Sequence, residues 1–421
     1  MKLTQKLLPL LILVASTEAN ATDGYFAHGY GVKSQGMGGV GIALPQDALA
    51  AAANPAGMGL IGDRVDFGVT WFRPIRESEI VGNLGGAAVN GTYEANDTKN
   101  FIIPEFGYNQ QINPNMTLGV SVYGNGGMNT DYKNGIPLFH APGASGSAGV
   151  DLIQLFVAPA ATWKLTPTQT IGVSLNLAYQ RFEIKGLDGF AGFSSSPNNL
   201  TNKGHDNSYG AGLHLGWIGQ LNDAVTLGVS YQSRTYMSKF DKYKGLFAEG
   251  GDFDIPSSYC VGIAVKATPK LTLAGDVQRI NYSDVNAVGN LSSLSSLFTG
   301  NQLGLDNGPG FGWRDVTTYK LGASYVYNDS LTIRGGYNHS TQPIRSGETL
   351  FNLLAPGVVQ DHVTFGATYI LANKSELSFA YMHAFEESVK GNGSILPAFG
   401  GGEANLKMYQ DSLGIAYGWQ L

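Results

Sequence analysis

Cysteine is nearly absent: Cys260 is alone in 421 residues, so no intramolecular disulfide framework staples the chain. Charge is scarce as well, with Asp, Glu, Lys and Arg making up 14 % of residues against about 25 % in ordinary soluble domains. The 26 basic residues are outnumbered by 32 acidic ones, for a net charge of −6, and they form no basic stripe. Without one, nucleic acid is excluded as a partner. Beyond the N-terminus no apolar run reaches the roughly 18 residues that a spanning helix needs. The seven His residues show no H-E-x-x-H spacing, and no G-x-S-x-G elbow occurs. These patterns support no enzyme, no cofactor and no metal centre.

What the chain does have is glycine, 58 residues of it, and a strict alternation of side chains. Lys2 and Lys6, the apolar stretch Leu7 to Ala15 and the small-x-small site Ala19-Asn20-Ala21 read as a secretory signal peptide over residues 1–21. The mature chain then starts at Thr22 and is bound for the periplasm, the outer membrane or beyond. From about Asp63 onward the period is two. Val65, Phe67, Val69 and Trp71 share one face with Asp66, Gly68 and Thr70 on the other, and Ile171 to Tyr179, Leu213 to Trp217 and Leu413 to Leu421 repeat the pattern. About fourteen such stretches follow one another.

Their connections alternate in length. Six are tight and rich in Asn, Asp and Pro, such as Gln111 to Pro114 and Leu165 to Thr168. Seven, near 77–98, 129–149, 185–206, 237–254, 284–312, 341–358 and 390–404, run to roughly 15 to 30 residues loaded with Gly, Ser, Asn and Pro. Strands of about ten residues, apolar on one side and small or polar on the other, with short turns at one end and long loops at the other, describe a transmembrane β-barrel. The fold class is therefore all-β: an antiparallel barrel of about 14 strands over residues 61–421. A soluble sandwich would carry charge on its outer face, whereas here the faces opposite the apolar ones hold mostly Gly, Ser, Thr, Ala and Asn. Trp71, Trp163, Trp217 and Trp419 fall near strand ends, as an interfacial girdle requires.

Residues 22–60 do not alternate. Gly36-Met37-Gly38-Gly39-Val40-Gly41 matches the dinucleotide fingerprint, but no strand precedes it and an exported chain meets no nicotinamide pool. These glycines are better suited to close backbone packing and to positive-φ turns. Asp47 is placed to cap a short helix from Ala48 to Ala53 that Asn54-Pro55 ends. Such a small, Ala- and Gly-rich segment suits a plug inside the lumen.

With these features the chain resembles the FadL family of outer-membrane transporters for long-chain fatty acids and other hydrophobic compounds. The resemblance rests on Ser34-Gln35-Gly36-Met37-Gly38-Gly39, Asn54-Pro55-Ala56, Trp313-Arg314-Asp315 ahead of a strand, and Tyr381-Met382-His383. It implies a hatch built on Gly36, Gly38, Gly39, Asn54, Pro55 and Ala56, and a kinked third strand that opens the wall sideways. Here that strand carries Gly124, Gly126 and Gly127, and bulky residues at Gly126 and Gly127 are expected to close the opening. Inward parity falls on Asp66, Glu105, His214, Arg234, Lys266, Asp276, Lys320, Arg334 and His362. A fatty-acid carboxylate wants a cation. The family places one near the outer end of the fifth strand, where Arg181 and Lys185 stand, while Arg234 and Lys320 are candidates by inward parity. The expected partners are hydrophobic small molecules, fatty acids or aromatic hydrocarbons, and the lipid of a Gram-negative outer membrane around a monomer. An open porin for small polar solutes is the alternative.

Overall fold

The computed structural model describes residues 23–292 and 294–421, so the expected signal peptide lies outside the described residues. Among those residues one antiparallel sheet closes on itself as a barrel of 14 strands. They are β1 (Arg64–Val81), β2 (Phe101–Asn113), β3 (Met116–Tyr132), β4 (Ala148–Thr166), β5 (Gln169–Lys185), β6 (Asp206–Gln220) and β7 (Val225–Gln232). The second half comprises β8 (Ser258–Lys266), β9 (Leu271–Ile280), β10 (Val316–Asn328), β11 (Leu331–Ser340), β12 (Asp361–Ile370), β13 (Glu376–Val389) and β14 (Glu403–Gln420). Two further pieces, Gly91–Glu94 on β1 and Tyr236–Met237 on β6, lengthen the wall locally.

Closure follows from the first and last strands, which pair from Arg64 opposite Gln420 to Val81 opposite Glu403. In hydrocarbon an unpaired peptide group costs several kcal/mol, so a sheet spans a membrane only when its edges meet. The outer face is the apolar one: Phe67, Leu213, Phe365 and Ile415 are exposed, while His214 and Thr364 on the opposite face are buried. Strands exceed the apolar stretches in places. β1 has 18 residues and β3 has 17, where about 9 to 11 cross a bilayer. The long loops therefore begin later than expected, at Gly82 rather than 77 and at Lys133 rather than 129. Above the hydrocarbon the apolar contrast fades, but the ladder still needs partners.

Residues 23–60 lie within the barrel, buried for most of their length. They contain α1 (Val32–Gln35), α2 (Ala50–Ala53) and a 3₁₀ turn over Pro55–Leu60. The expected helix from Ala48 starts two residues late, because the Asp47 carboxylate accepts the Leu49 amide at 3.0 Å and holds the chain in a turn. Of the residues given inward parity, Asp66, Glu105, His214, Asp276, Lys320 and His362 are buried. Arg334 is half-buried, Lys266 is exposed at the short-turn end, and Arg234 stands beyond the last residue of β7.

Candidate functional site

A segment with so little helix has many main-chain amides to satisfy. The barrel's inward carboxylates accept them. Glu105 accepts from Gly31 and Val32 at 3.2 and 3.0 Å, Asp276 from Gly41 and Ile42 at 2.8 and 3.2 Å, and Asp66 from Ala48 at 2.8 Å. Asn54, fully buried, donates to the carbonyls of Ile42 at 2.9 Å and of Trp217 on β6 at 3.1 Å, and accepts from the Ala56 amide at 3.1 Å. Thr162 on β4 donates to the Pro55 carbonyl at 2.6 Å. Asn54-Pro55-Ala56 is thus knotted to the wall at β4 and β6.

The three glycines sit where no side chain fits. A β-carbon on Gly36 would stand 2.7 Å from Gly366 of β12, and one on Gly39, which has φ of +79°, would stand 1.8 Å from the His28 carbonyl. Gly38, at φ of +71°, donates its amide to Thr364 at 2.7 Å. The start of the segment is held from the loop that follows β9: the Tyr282 hydroxyl donates to the Asp23 carbonyl at 2.6 Å and lies 3.1 Å from the Tyr25 amide that donates to it.

The ladder between β2 and β3 is incomplete. It runs from Asn113 opposite Met116 to Phe106 opposite Val122 and ends there. Residues 101–105 of β2 go on pairing with β1, and β3 continues to Tyr132 paired with β4. A register shift between Gly124 and Gly126 leaves Asn125 as an extra residue that bends β3 away. Pro104, which has no N–H to offer, lies in this stretch of β2.

Substitutes take the place of the missing strand at every second residue of β3. The Asn125 carbonyl accepts from the Ala27 amide at 3.0 Å, and the Gly127 amide donates to the Tyr25 carbonyl at 2.9 Å. The Asn129 carbonyl accepts from the Arg76 guanidinium of β1 at 2.5 Å. Asp131 exchanges main-chain bonds of 3.2 Å with Ala95 and Asp97. Sequence reasoning placed Gly124, Gly126 and Gly127 here but missed Tyr25, Arg76 and Asn129. The one signal for them was Pro104.

The four cations proposed for a carboxylate do not share one place: only Arg181 and Lys185 meet in a cluster, through His205. Arg181 pairs with Asp151 at 3.1 Å and Lys185 with Glu183 at 3.6 Å, both near His205. Arg234 stands 3.6 Å from Asp254. Lys320 pairs with Asp23 at 3.4 Å and donates to the His28 carbonyl at 2.7 Å. Each already has an anionic partner. Under the long loops lies a cavity walled by Val150, Phe182, Ile184, Phe247, Phe311 and Leu354, all carbon at their tips. It leaves about 30 Å³, room for about two waters, so a guest must part these rings to enter.

Residues 13–418 match the family model for the outer membrane protein transport proteins OMPP1, FadL and TodX. The chain belongs to the OMPP1/FadL/TodX family. It is 23 % identical to the Neisseria meningitidis serogroup B outer membrane protein NMB0088 over 99 % of this chain and 98 % of that one. Its fold is similar to the Pseudomonas putida toluene transporter TodX, with a TM-score of 0.70, 18 % identity and coverage of 94 % of this chain and 99 % of that one. A Pseudomonas aeruginosa FadL homologue aligns with a TM-score of 0.69 at 15 % identity, covering 96 % and 99 %. Membership of OMPP1/FadL/TodX makes the chain an outer-membrane transport protein for hydrophobic compounds.

Proposed function

We propose that the chain takes up neutral hydrophobic compounds by passive diffusion. A solute enters the apolar cavity under the loops, passes the hatch formed by residues 22–60, and leaves sideways through the β2–β3 gap into lipid. The observation that carries this reading is the edge of β3 from Tyr123 to Asp131, which has no strand beside it and is covered in part by Tyr25 to Ala27. An apolar solute gains from such a route, since each CH₂ returned to water costs about 0.8 kcal/mol. A filled lumen argues against an open porin.

The all-carbon cavity and the four paired cations favour a neutral solute, such as a small aromatic hydrocarbon, over a long-chain fatty acid. A buried carboxylate there would lack a free cation, and such burial is costly. The β1–β14 ladder, which closes the wall along the full length of β1, suits a monomer surrounded by lipid.

The test is competitive uptake. Cells producing the chain should accumulate labelled toluene faster than cells without it, and hexadecanoate should compete poorly. Strong saturable uptake of hexadecanoate with none of toluene would reverse the substrate assignment. In planar bilayers the purified chain should show little steady conductance, and large open channels would restore the porin reading.

A further inference from the structure

Arg76 is an uncommon residue to find buried in a barrel wall. It is 1 % exposed and projects from β1, level with the place where β2 has not yet begun. Its guanidinium donates to the Asn129 carbonyl at 2.5 Å, to the Asn129 side-chain oxygen at 3.1 Å, and to the Thr98 carbonyl at 2.6 Å. It also lies over the Phe101 ring, 6.0 Å from its centre. All these partners are neutral, and its Nε has none. No carboxylate pairs with it directly, Asp131 acting on it only from a distance, and a buried cation held this way is expensive, so a direct ion pair does not explain it. A planar fork of five donors does something a shorter or apolar side chain cannot: it reaches carbonyls on two different elements at once.

Those two elements flank the gap. Of the substitutes along β3, Tyr25 and Ala27 belong to the hatch and leave with it, whereas Arg76 belongs to the wall. We infer that Arg76 is a fixed post that ties β3 to β1 near the outer end of the gap, keeps the opening narrow once the hatch withdraws, and so limits the size of solute that exits. Arg76 is on this account a positioning residue for transport. The inference rests on the lateral-exit reading above.

Uptake of n-alkylbenzenes from toluene to decylbenzene is measured in cells producing the native chain, Arg76→Lys, Arg76→Gln or Arg76→Met. The readout is the ratio of decylbenzene to toluene uptake, which a change in the amount of folded protein does not move. Methionine keeps the volume and removes every donor, so the ratio should rise about tenfold, the equivalent of losing a charged hydrogen bond. Lysine, able to serve one carbonyl, should fall between. A native ratio in Arg76→Met overturns the post. If that variant does not assemble, the same ratio in Arg76→Gln decides. If Arg76→Met depresses only decanoate uptake and leaves the alkylbenzene ratio native, Arg76 is an anion site and the post is again wrong. Gly124→Val, which fills the gap itself, separates the two ideas. Normal uptake in that variant sinks lateral exit, whereas blocked uptake there with native ratios at position 76 sinks the post alone.

Discussion

The Tyr25 carbonyl oxygen stands 1.8 Å from the place a β-carbon on Gly126 would occupy, so these two main chains touch with no space for any side chain. That contact seats the outer end of the hatch on β3, together with the Ala27–Asn125 and Gly127–Tyr25 hydrogen bonds. Gly126→Val should push Tyr25 to Ala27 off the strand. The expected outcome is a barrel that still shifts on heating in detergent gels but conducts more in planar bilayers. The sequence suggested that bulk at Gly126 would close the wall. The geometry reverses that sign at this residue, because its missing side chain points at the hatch and not into the gap. Native conductance in Gly126→Val would mean that the hatch is seated elsewhere.

Gly124 is the glycine whose side-chain position does face the gap. A β-carbon there would lie 3.3 Å from Cγ2 of Ile103 on β2, close enough that an added isopropyl group bridges the two strands. Gly124→Val should cut toluene uptake by about tenfold or more, a near-complete loss of one exit route, while bilayer conductance stays low. Uptake at the native rate would redirect the path through the hatch to the periplasm.

Asn54 joins the hatch to the wall through its side chain. Losing its side chain in Asn54→Ala removes a donor from the Trp217 and Ile42 carbonyls and the acceptor of the Ala56 amide. Each bond is worth about 1 kcal/mol net, with more lost where a buried group is left unpaired. The hatch should loosen by about 2 to 4 kcal/mol, read as faster amide exchange over residues 40–57, with the wall's exchange unchanged. Deleting Thr22 to Gly57 should go further and raise conductance, since the β1–β14 ladder closes the barrel without it. Equal loss of protection in hatch and wall would mean that the two fold as one unit.

The barrel was legible because the requirement that dictates it is periodic. Lipid on one side and lumen on the other impose a two-residue alternation that Leu213 to Trp217 and Leu413 to Leu421 display openly. The gap was legible only in part. Three clustered glycines announce a bend near Gly124, but the partners that cover it come from residue 25, residue 76 and residues 95–97, which no local pattern connects. Arg76 was hidden for a further reason: it lies past Trp71, where β1 continues but Arg73, Glu77 and Glu79 interrupt the apolar alternation. The surroundings of the cations were not legible: inward parity for Arg234 and Lys320, and the resemblance for Arg181 and Lys185, say nothing of what stands opposite. Arg181, Lys185, Arg234 and Lys320 each meet a carboxylate supplied by a distant part of the chain or by a near neighbour on the strand.

The long loops carry an acid-sensitive tie. Asp188, between β5 and β6, accepts from the Ala141 amide at 2.8 Å and pairs with His140 Nδ1 at 3.0 Å, both in the loop between β3 and β4. Phe139 and Phe190 pack edge to face beside it at 6.1 Å. Partial burial alone would raise the Asp188 carboxyl, but the Ala141 amide and His140 outweigh it and hold the group below its ordinary value. A depressed carboxyl stabilises the folded loops above the unfolded value of about 4, and that contribution disappears as pH falls through the lower, folded value. Amide protection of residues 137–141 and 187–193 should therefore be constant from neutral pH down to about pH 4 and drop below it. Asp188→Asn should show weaker protection at neutral pH and no step on acidification. A step of native size in Asp188→Asn would assign the acid response to another carboxylate and leave this tie without a role.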